Sequence, residues 1–273
     1  MATPKNQSVQ KAFSLLKAFH GPDEWLTGIE LSRRANLPLA SGHRLIQTLE
    51  ELGAIVRGPR GRYRPGMLLV SLSNNVAIGD LLRETSHAII DELARRLNIT
   101  VHIGLLEGGM VSYVAKVSTP ASCPTHTVIG SQLEAYCSGL GKILLAALPA
   151  DHLENFLLEG DLIALTPNTI TSVAILRRQL EMVRRTRFAI DNRESRTDMS
   201  CVAVPVCDNT GRTVAAMSAT EFADRLTPER QVQIRDALFE AAAAVGRRMF
   251  PSVQPFPALA APMTARQGVS LLQ

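Results

Sequence analysis

The sequence predicts an α+β protein in two parts: a small helical domain that ends in a basic hairpin, then a larger domain built on an antiparallel sheet. Three observations lead to this prediction. The 273 residues, 46% of them hydrophobic, can bury one sizeable core and one smaller core. Positive charge is concentrated in residues 1–66, which hold ten lysines and arginines against five aspartates and glutamates. Later in the chain, strands and helices follow each other without repeated βαβ units, which favours an antiparallel sheet.

The composition also argues against several classes of protein. No apolar run reaches the roughly 18 residues that a membrane span needs, and the first ten residues contain no apolar signal core. We therefore expect a cytoplasmic protein with no membrane partner. The four cysteines form no CxxC pair and are irregularly spaced, at Cys123, Cys137, Cys201 and Cys207. We expect no metal site, no disulfide framework and no cofactor.

Two short helices are predicted at the N-terminus. Apolar residues at helical spacing place the first helix at about residues 8–20. Thr27 and Glu30 stand at capping-box spacing, so a second helix should run over about residues 28–35. Only a few residues separate this helix from the next.

The third helix is predicted over about residues 39–52, with its apolar face formed by Leu45, Leu49 and Leu52. On the opposite face, basic and amide groups come first and the acids, Glu50 and Glu51, come last. Only the first half of this face can therefore approach phosphate groups. This polarity is typical of a recognition helix.

A basic hairpin follows the third helix. The segment AIVRGPRGRYRPG predicts two short strands around a Gly/Pro turn, with four arginines on or beside it. Three helices and such a hairpin form a winged helix-turn-helix, in which the third helix enters the major groove of double-stranded DNA. Solvated surface helices would explain the charge equally well, but not its position. The predicted DNA contacts are Ala40, Ser41, His43, Arg44, Gln47, Arg57, Arg60 and Arg62.

A short connecting helix and a longer one, at about residues 79–97, are predicted next. The apolar face of the longer helix is formed by Leu82, Ala88, Ile89, Ile90, Leu93 and Leu97. Helices in this position often pair with a partner subunit, and paired subunits suit palindromic operators. We therefore expect a homodimer or a homotetramer.

The second domain is predicted to contain two hairpins, VHIGLLEGGMVSYVAKV and MSCVAVPVCDNTGRTVAAMSAT, with Pro205 at an edge or a bulge. Helices are expected between the hairpins, at about residues 138–148, 150–157 and 172–186. A last helix should be capped by Thr227 and run to about Met249. Residues 251–273 are expected to be disordered.

The segment EAYCSGLGKILLA raises three alternatives. A phosphate loop would need a glycine at Tyr136 and a serine or threonine at Ile143, so that reading fails. A Cys137 nucleophile would need a partner base, and no local signature links any histidine to it. The third alternative is a helix start whose free backbone N–H groups suit a carboxylate. Glycines that serve only helix packing remain an open explanation.

Taken together, these segments resemble the IclR family of bacterial transcriptional regulators over about residues 7–250. The matching segments are GIELSRRANLPLASGHRLIQTLEELG with YRPG, YCSGLGKILLAALP, FAIDNRES, CVAVPVCDNTGRTVAAMS and RLTPE. The resemblance implies a GAF-like effector domain that binds a small carboxylate and changes how a dimer or tetramer holds its operator. It implies four regions: a winged helix-turn-helix at 1–66, a linker helix at 67–79, the effector domain at 80–250 and a tail at 251–273.

Matched position by position, the resemblance implies an effector pocket lined by Leu133, Gly139, Leu140, Asp191, Met199, Cys201 and Ser218. Backbone N–H groups of Gly139 and Leu140 are expected to hold the carboxylate. Asp191 and Ser218 are expected to hold a hydroxyl or the acid proton, and the other three to surround the apolar body. The effector class, keto acid or aromatic acid, stays open, with a preference for an aromatic acid. Activation and repression also stay open.

The sequence departs from the family pattern at five positions. Gly42 stands where an apolar residue is usual, and Leu39 and Ala40 stand where polar residues are favoured. Glu134 replaces a frequent proline and Asp198 a frequent glycine at the rim of the implied pocket. These departures leave the operator and the effector unassigned.

Two other functions are alternatives to regulation. One is a small-molecule enzyme with Cys137 or Cys201 as its nucleophile, and the other is a second domain that only oligomerises. The expected function is regulation without catalysis.

Overall fold

The computed structural model describes residues 6–21, 24–160 and 162–251. The described residues divide into two compact units, one up to Val76 and one from Ala77 onward. The predicted domain boundaries at residues 66 and 79 stay predictions. The predicted disordered tail lies, from residue 252, outside the described residues.

The first unit contains three short strands and four helices among the described residues. Its elements are α1 (Gln7–Leu16), β1 (Leu26–Thr27), α2 (Gly28–Arg34), α3 (Leu39–Glu51), β2 (Ile55–Arg57), β3 (Arg62–Pro65) and α4 (Met67–Ser73). The strands form an antiparallel sheet in the order β1-β3-β2. Helices α1, α2 and α3 followed by the β2–β3 hairpin confirm the predicted winged helix-turn-helix.

The predicted capping box fixes the start of α2. The Thr27 hydroxyl accepts from the Glu30 amide at 3.2 Å, and the Glu30 carboxylate accepts from the Thr27 amide at 2.7 Å. These reciprocal bonds satisfy two amide groups that a helix start leaves without partners. Local side-chain chemistry therefore sets this boundary, which the sequence placed correctly.

The predicted first helix was too long. Helix α1 ends at Leu16, four residues before the expected end at His20. Val9 and Phe13, which the helical pattern assigned to an apolar stripe, are more than half exposed. Leu15, which belongs to the same predicted pattern, is buried in the core of the unit together with Ala18.

The predicted buried face of α3 was also partly wrong. Leu52 follows the helix and is 61% exposed, whereas Gly42, Ile46 and Leu49 are buried. The cause is a close approach to α2, because a Cβ atom on Gly42 would lie 2.1 Å from Oγ of Ser32. Contact with α2 therefore requires glycine at this position and rotates the buried face toward it.

The second unit is built on a six-stranded antiparallel sheet in the order β6-β5-β4-β9-β8-β7. Its strands are β4 (Thr100–Glu107), β5 (Met110–Val117), β6 (Gln132–Glu134), β7 (Ala189–Asn192), β8 (Met199–Cys207) and β9 (Thr213–Phe222). Its helices are α5 (Ile78–Leu97), α6 (Gly139–Ala146), α7 (Ala150–Glu159), α8 (Val173–Thr186) and α9 (Pro228–Met249). Both predicted hairpins, β4–β5 and β8–β9, are present.

Two separate cores cover the two faces of this sheet. Helices α5 and α9 pack on one face, and α6, α7 and α8 pack on the other. On α5, Ser86 and Ala94 are buried and Ala88 is exposed, which corrects the predicted apolar face at Ala88. Strand β7 pairs with β8 only as far as Ala203, whereas Pro205 of β8 pairs with Ala216 of β9 alone. Strand β8 is therefore an edge strand at Pro205, as predicted.

Among the residues that the structure describes, no helix is long and apolar enough to cross a membrane.

Candidate functional site

The start of α6 is built by close packing against the segment that precedes it. Ser138 caps the helix, and its hydroxyl accepts from the Gly141 amide at 3.1 Å. A Cβ atom on Gly141 would lie 2.0 Å from the carbonyl oxygen of Ala135. Gly141 therefore serves packing, which was the open alternative for these glycines. The first-turn amides of Gly139 and Leu140 have no acceptor within the helix.

A cavity of about 320 Å³ lies at this helix start, against the sheet face that α6 covers. The structure brings all seven residues of the implied effector pocket together around it. They are Leu133, Gly139, Leu140, Asp191, Met199, Cys201 and Ser218. They come from β6, α6, β7, β8 and β9, so only the folded sheet makes them neighbours.

Asp191 is the central acidic group of the cavity. It is 2% exposed, and its carboxylate accepts from the Ser195 hydroxyl at 2.5 Å and from the Glu194 amide at 2.7 Å. Burial raises the pKa of Asp191 to about 6, although these hydrogen bonds oppose the increase. Asp191 therefore caps a turn and also presents a titratable group to the cavity.

Lys142 supports the loop that carries Asp191. It is completely buried, and its Nζ donates to the carbonyl oxygen of Ile190 at 3.1 Å and to the carboxylate of Glu194. The second carboxylate oxygen of Glu194 has no hydrogen-bond partner among the described residues. This buried ion pair ties α6 to the end of β7. The lysine of the GLGK segment is therefore a structural group within the fold.

The predicted DNA-contacting residues lie on one helix and one hairpin of the first unit. On α3, Ala40, His43, Arg44 and Gln47 are exposed and Ser41 is half-buried. On the wing, the arginines at positions 57, 60 and 62 are exposed around the turn at residues 59–61. Within the described part of the chain, none of these arginines forms an ion pair with an acidic side chain. Their charge is therefore free to meet phosphate groups.

Arg64 differs from the other wing arginines. Its guanidinium lies 5.0 Å from the centre of the Trp25 ring, in cation–π geometry. This contact fastens the wing to the segment before β1.

Comparison with known proteins places both units in one family. Residues 8–59 match the model of the IclR helix-turn-helix domain, and residues 78–247 match the bacterial transcriptional regulator IclR C-terminal domain. The chain belongs to the IclR family of transcriptional regulators. This finding confirms the resemblance noted in the sequence and, with the observed fold, the GAF-like class of the second unit.

Individual IclR-family relatives match over almost their whole length. The HTH-type transcriptional regulator XynR of Escherichia coli is 31% identical over 248 residues, which cover 90% of this chain and 98% of XynR. The regulator KdgR of Escherichia coli is 28% identical over 91% of this chain and 95% of its own.

Solved IclR-family structures share the fold. The IclR structure of Thermotoga maritima has a TM-score of 0.59 at 29% identity and covers 89% of this chain and 98% of its own. An IclR homolog of Microbacterium hydrocarbonoxydans, complexed with 4-hydroxybenzoate, has a TM-score of 0.59 at 23% identity. It covers 89% of this chain and 98% of its own.

In this IclR-family chain, the cavity has polar lining residues that the sequence analysis missed. They are His102, Tyr113, Thr125, His126, Thr127, Ser131, Gln132, Ser138, Ser195, Arg196 and Thr220. His102 is 2% exposed, and its Nε2 lies 2.8 Å from Oγ1 of Thr127. Burial lowers the pKa of His102 to about 3, so this histidine is neutral at physiological pH. In the sequence, the position of His102 within the apolar run VHIGLL is the one feature that sets this residue apart from its neighbours.

One departure from the IclR-family pattern has a structural consequence at the cavity. Asp198 holds the guanidinium of Arg196 in a two-bond contact of 2.9 and 2.7 Å. The hydrogen bonds raise the pKa of Arg196 and lower that of Asp198. The aspartate that replaces a frequent glycine therefore partly neutralises a cation that lines the cavity.

The two cysteines considered as nucleophiles are both held as thiols. Burial raises the pKa of Cys137 to about 12. Burial, followed by the nearby Asp191 carboxylate, also raises the pKa of Cys201 well above its ordinary value. A reactive cysteine needs the opposite shift, because the thiolate is the nucleophile. Within the described residues, no group of three or more histidine, cysteine or acidic side chains is placed to hold a metal ion.

Proposed function

We propose that this chain is a sequence-specific DNA-binding regulator whose operator binding is controlled by a small carboxylate held in the second unit. The observation that carries the proposal is the cavity at the start of α6. It combines first-turn amide groups, a buried carboxyl group at Asp191 and apolar walls, a set of groups suited to a small acid. The homolog solved with 4-hydroxybenzoate supports an acid of this size.

The remaining parts of the proposal concern partners and location. We infer that the chain acts as a homodimer or homotetramer on an operator, in the cytoplasm, without catalysis and without a cofactor. The raised thiol pKa values of Cys137 and Cys201 support regulation over nucleophilic catalysis. The effector is a keto acid or an aromatic acid.

A thermal-shift measurement on the full chain tests effector binding directly. Keto acids and aromatic acids are compared on the unmodified protein, Asp191→Ala and the matched control Asp236→Ala, whose carboxylate lies exposed on α9. At least one acid should raise the melting temperature of the unmodified and control proteins but not of Asp191→Ala. If no acid changes any melting temperature, the second unit is an oligomerisation scaffold.

We expect Arg44→Ala to weaken binding to a specific operator by about 1–3 kcal/mol, because a bidentate contact from arginine to a base is lost. Fluorescence anisotropy measures this on an operator selected from a random duplex library by the unmodified protein. Arg60→Ala should instead weaken binding to all duplexes and reduce the salt dependence. Arg178→Ala, an exposed arginine on α8, is the control. Unchanged operator affinity for Arg44→Ala would rule out this arginine as a base contact.

The raised pKa of Asp191 predicts that effector binding depends on pH. Above about pH 6 the carboxyl group is ionised and repels a bound carboxylate, whereas below it the protonated group can donate a hydrogen bond. Affinity for an acid effector should therefore fall as pH rises above 6 and stay nearly constant below it. Titration calorimetry between pH 5 and 8 measures the trend.

Two variants decide whether this pH dependence belongs to Asp191. Asp191→Asn should remove it, whereas His126→Gln, at an exposed histidine that lines the cavity, should retain it. The same slope in Asp191→Asn would assign the titration to another group.

A further inference from the structure

One wall of the cavity carries hydroxyl groups that the fold leaves without partners. The side chains of Tyr113 on β5 and of Ser218 and Thr220 on β9 are 6%, 2% and 4% exposed. None of these three hydroxyls has a hydrogen-bond partner among the residues that the structure describes, and all three residues line the cavity. Their oxygens are not sealed inside the protein but open into the cavity, so a ligand there can supply the hydrogen-bond partners that the fold does not.

Tyr113 is placed by contacts of its backbone and of its ring. Its backbone amide donates to the carbonyl oxygen of Ser131 at 3.0 Å, and its carbonyl oxygen accepts from the Gly130 amide at 2.8 Å. Its ring lies 5.1 Å from the His102 ring, tilted by 60°. The backbone of Tyr113 is therefore anchored at residues 130–131, and its ring packs beside His102.

The electrostatic surroundings of Tyr113 keep its phenol protonated. Burial first, and then the neighbouring Cys201, Asp191 and Cys137, raise the pKa of Tyr113 above its ordinary value. The cavity lining therefore contains a hydrogen-bond donor, Tyr113, and an acceptor, Asp191.

Tyr136 provides the contrast within the same core. Its ring is also buried, at 2% exposure, but its hydroxyl donates to the carbonyl oxygen of Ile163 at 2.8 Å. The fold satisfies this tyrosine completely. Of the two tyrosines in this core, Tyr113 has the unpaired phenol and Tyr136 the paired one.

We propose that Tyr113, together with Thr220, forms a second polar subsite that binds a hydroxyl group of the effector, apart from the groups that bind its carboxylate. This inference rests on the proposed function, since it concerns the same cavity. A hydroxyl suits the wall because it accepts from Tyr113 and donates to Thr220 or Asp191, whereas a carbonyl oxygen can only accept. The effector class is a hydroxy acid in preference to a keto acid, and a keto acid in preference to the unsubstituted acid.

Selectivity follows from the cost of leaving these groups unpaired. An acid without the hydroxyl fills the cavity and leaves the hydroxyl groups of Tyr113 and Thr220 without a hydrogen-bond partner. A site built to hydrogen-bond a ligand hydroxyl rejects the analogue that lacks it for this reason. Asp191 and the helix start would then provide affinity for the acid, and Tyr113 would provide the choice among acids.

The test uses the full chain and titration calorimetry with two ligand series. One series is benzoate, 3-hydroxybenzoate and 4-hydroxybenzoate, and the other is propionate, pyruvate and lactate. In at least one series the hydroxylated acid should bind the unmodified protein about tenfold more tightly than the unsubstituted acid. Tyr113→Phe should reduce this preference by about five- to tenfold, partly by raising the affinity for the unsubstituted acid, which no longer leaves the phenol unpaired.

Tyr136→Phe is the matched control, because it removes a hydroxyl that faces away from the cavity. It should retain the preference. Thr220→Val provides a second, isosteric variant in case Tyr113→Phe lowers the melting temperature of the free protein, and it should reduce the preference in the same direction.

The outcomes separate this inference from the proposed function. If acids bind without preferring a hydroxyl, or if Tyr113→Phe and Thr220→Val both retain the preference, the second subsite is refuted and effector binding stands. If none of the six acids binds, effector binding is refuted and the subsite with it.

Discussion

Lys142→Met is expected to lower the free energy of unfolding of the second unit by about 3–5 kcal/mol. The substitution keeps an unbranched side chain of similar volume and removes its charge and its hydrogen-bond donors. It would leave the Glu194 carboxylate, 3% exposed, without its cation and would also remove the donor to Ile190. An uncompensated buried charge is among the most destabilising changes that a single substitution can make.

Denaturant unfolding followed by far-ultraviolet circular dichroism measures this loss. The single tryptophan, Trp25, lies in the first unit. Its fluorescence therefore reports the unfolding of the first unit and serves as an internal reference, since the substitution lies in the second unit. The double variant Lys142→Met, Glu194→Met should recover much of the stability, because a buried ion pair is often replaceable by apolar groups of similar volume. Arg178→Met controls for loss of an exposed cation. A loss below about 1 kcal/mol for Lys142→Met would contradict a buried, mutually dependent pair.

Gly141→Ala is expected to cost about 3 kcal/mol or more and to abolish effector binding. The added Cβ atom would lie 2.0 Å from the carbonyl oxygen and 2.3 Å from the Cα atom of Ala135. Both obstacles are backbone atoms, so no side-chain rotation relieves them and the helix start must move. Alanine gains about 1 kcal/mol over glycine in helix propensity, which is too little to offset the displacement.

The same unfolding assay, with a ligand titration, measures both effects of Gly141→Ala. Gly160→Ala is the matched control, because no atom lies within 4 Å of its added Cβ. That control should remain within about 0.5 kcal/mol of the unmodified protein. A stable Gly141→Ala protein that still binds an effector would mean that α6 does not pack against Ala135 as described.

Helix boundaries were predictable wherever a cap set them. Thr27 before α2, Ser138 before α6 and Thr227 before α9 all accept from an amide of the first turn. Helices α2 and α9 begin where the sequence placed them, and α6 begins one residue after its predicted start. Such caps involve residues three apart, so the chemistry is visible in the sequence itself. The end of α1 has no such marker, and its predicted end was four residues late.

The short strands were missed for a different reason. Strands β1, β6 and β7 contain two to four residues, too few to show an alternating pattern. Each is defined by pairing with a strand elsewhere in the chain. Likewise, the buried face of α3 depends on the contact between Gly42 and Ser32, which the periodicity of one helix cannot show.

The cavity was predictable only in part from the residues alone. The spacing of the GLGK segment indicated a helix start suited to an anion, and the family resemblance supplied the seven implied pocket residues. Tyr113, His102 and Thr220 lie on three strands that were read as apolar. Their position on one face follows from the strand register, in which His102 lies opposite Ser218. The strand register depends on pairing between distant segments, so it cannot be predicted from the residues near His102 in the sequence.

Strand β4 touches both cores of the second unit. Because successive residues of a strand point to opposite sides, His102 lines the cavity while Val101 and Ile103 lie in the core beneath α5 and α9. Only Asn98 and Ile99 separate the end of α5 from the start of β4. A molecule that displaced His102 would therefore disturb the core beneath α5 through the thickness of a single strand. That helix begins two residues after the first unit ends.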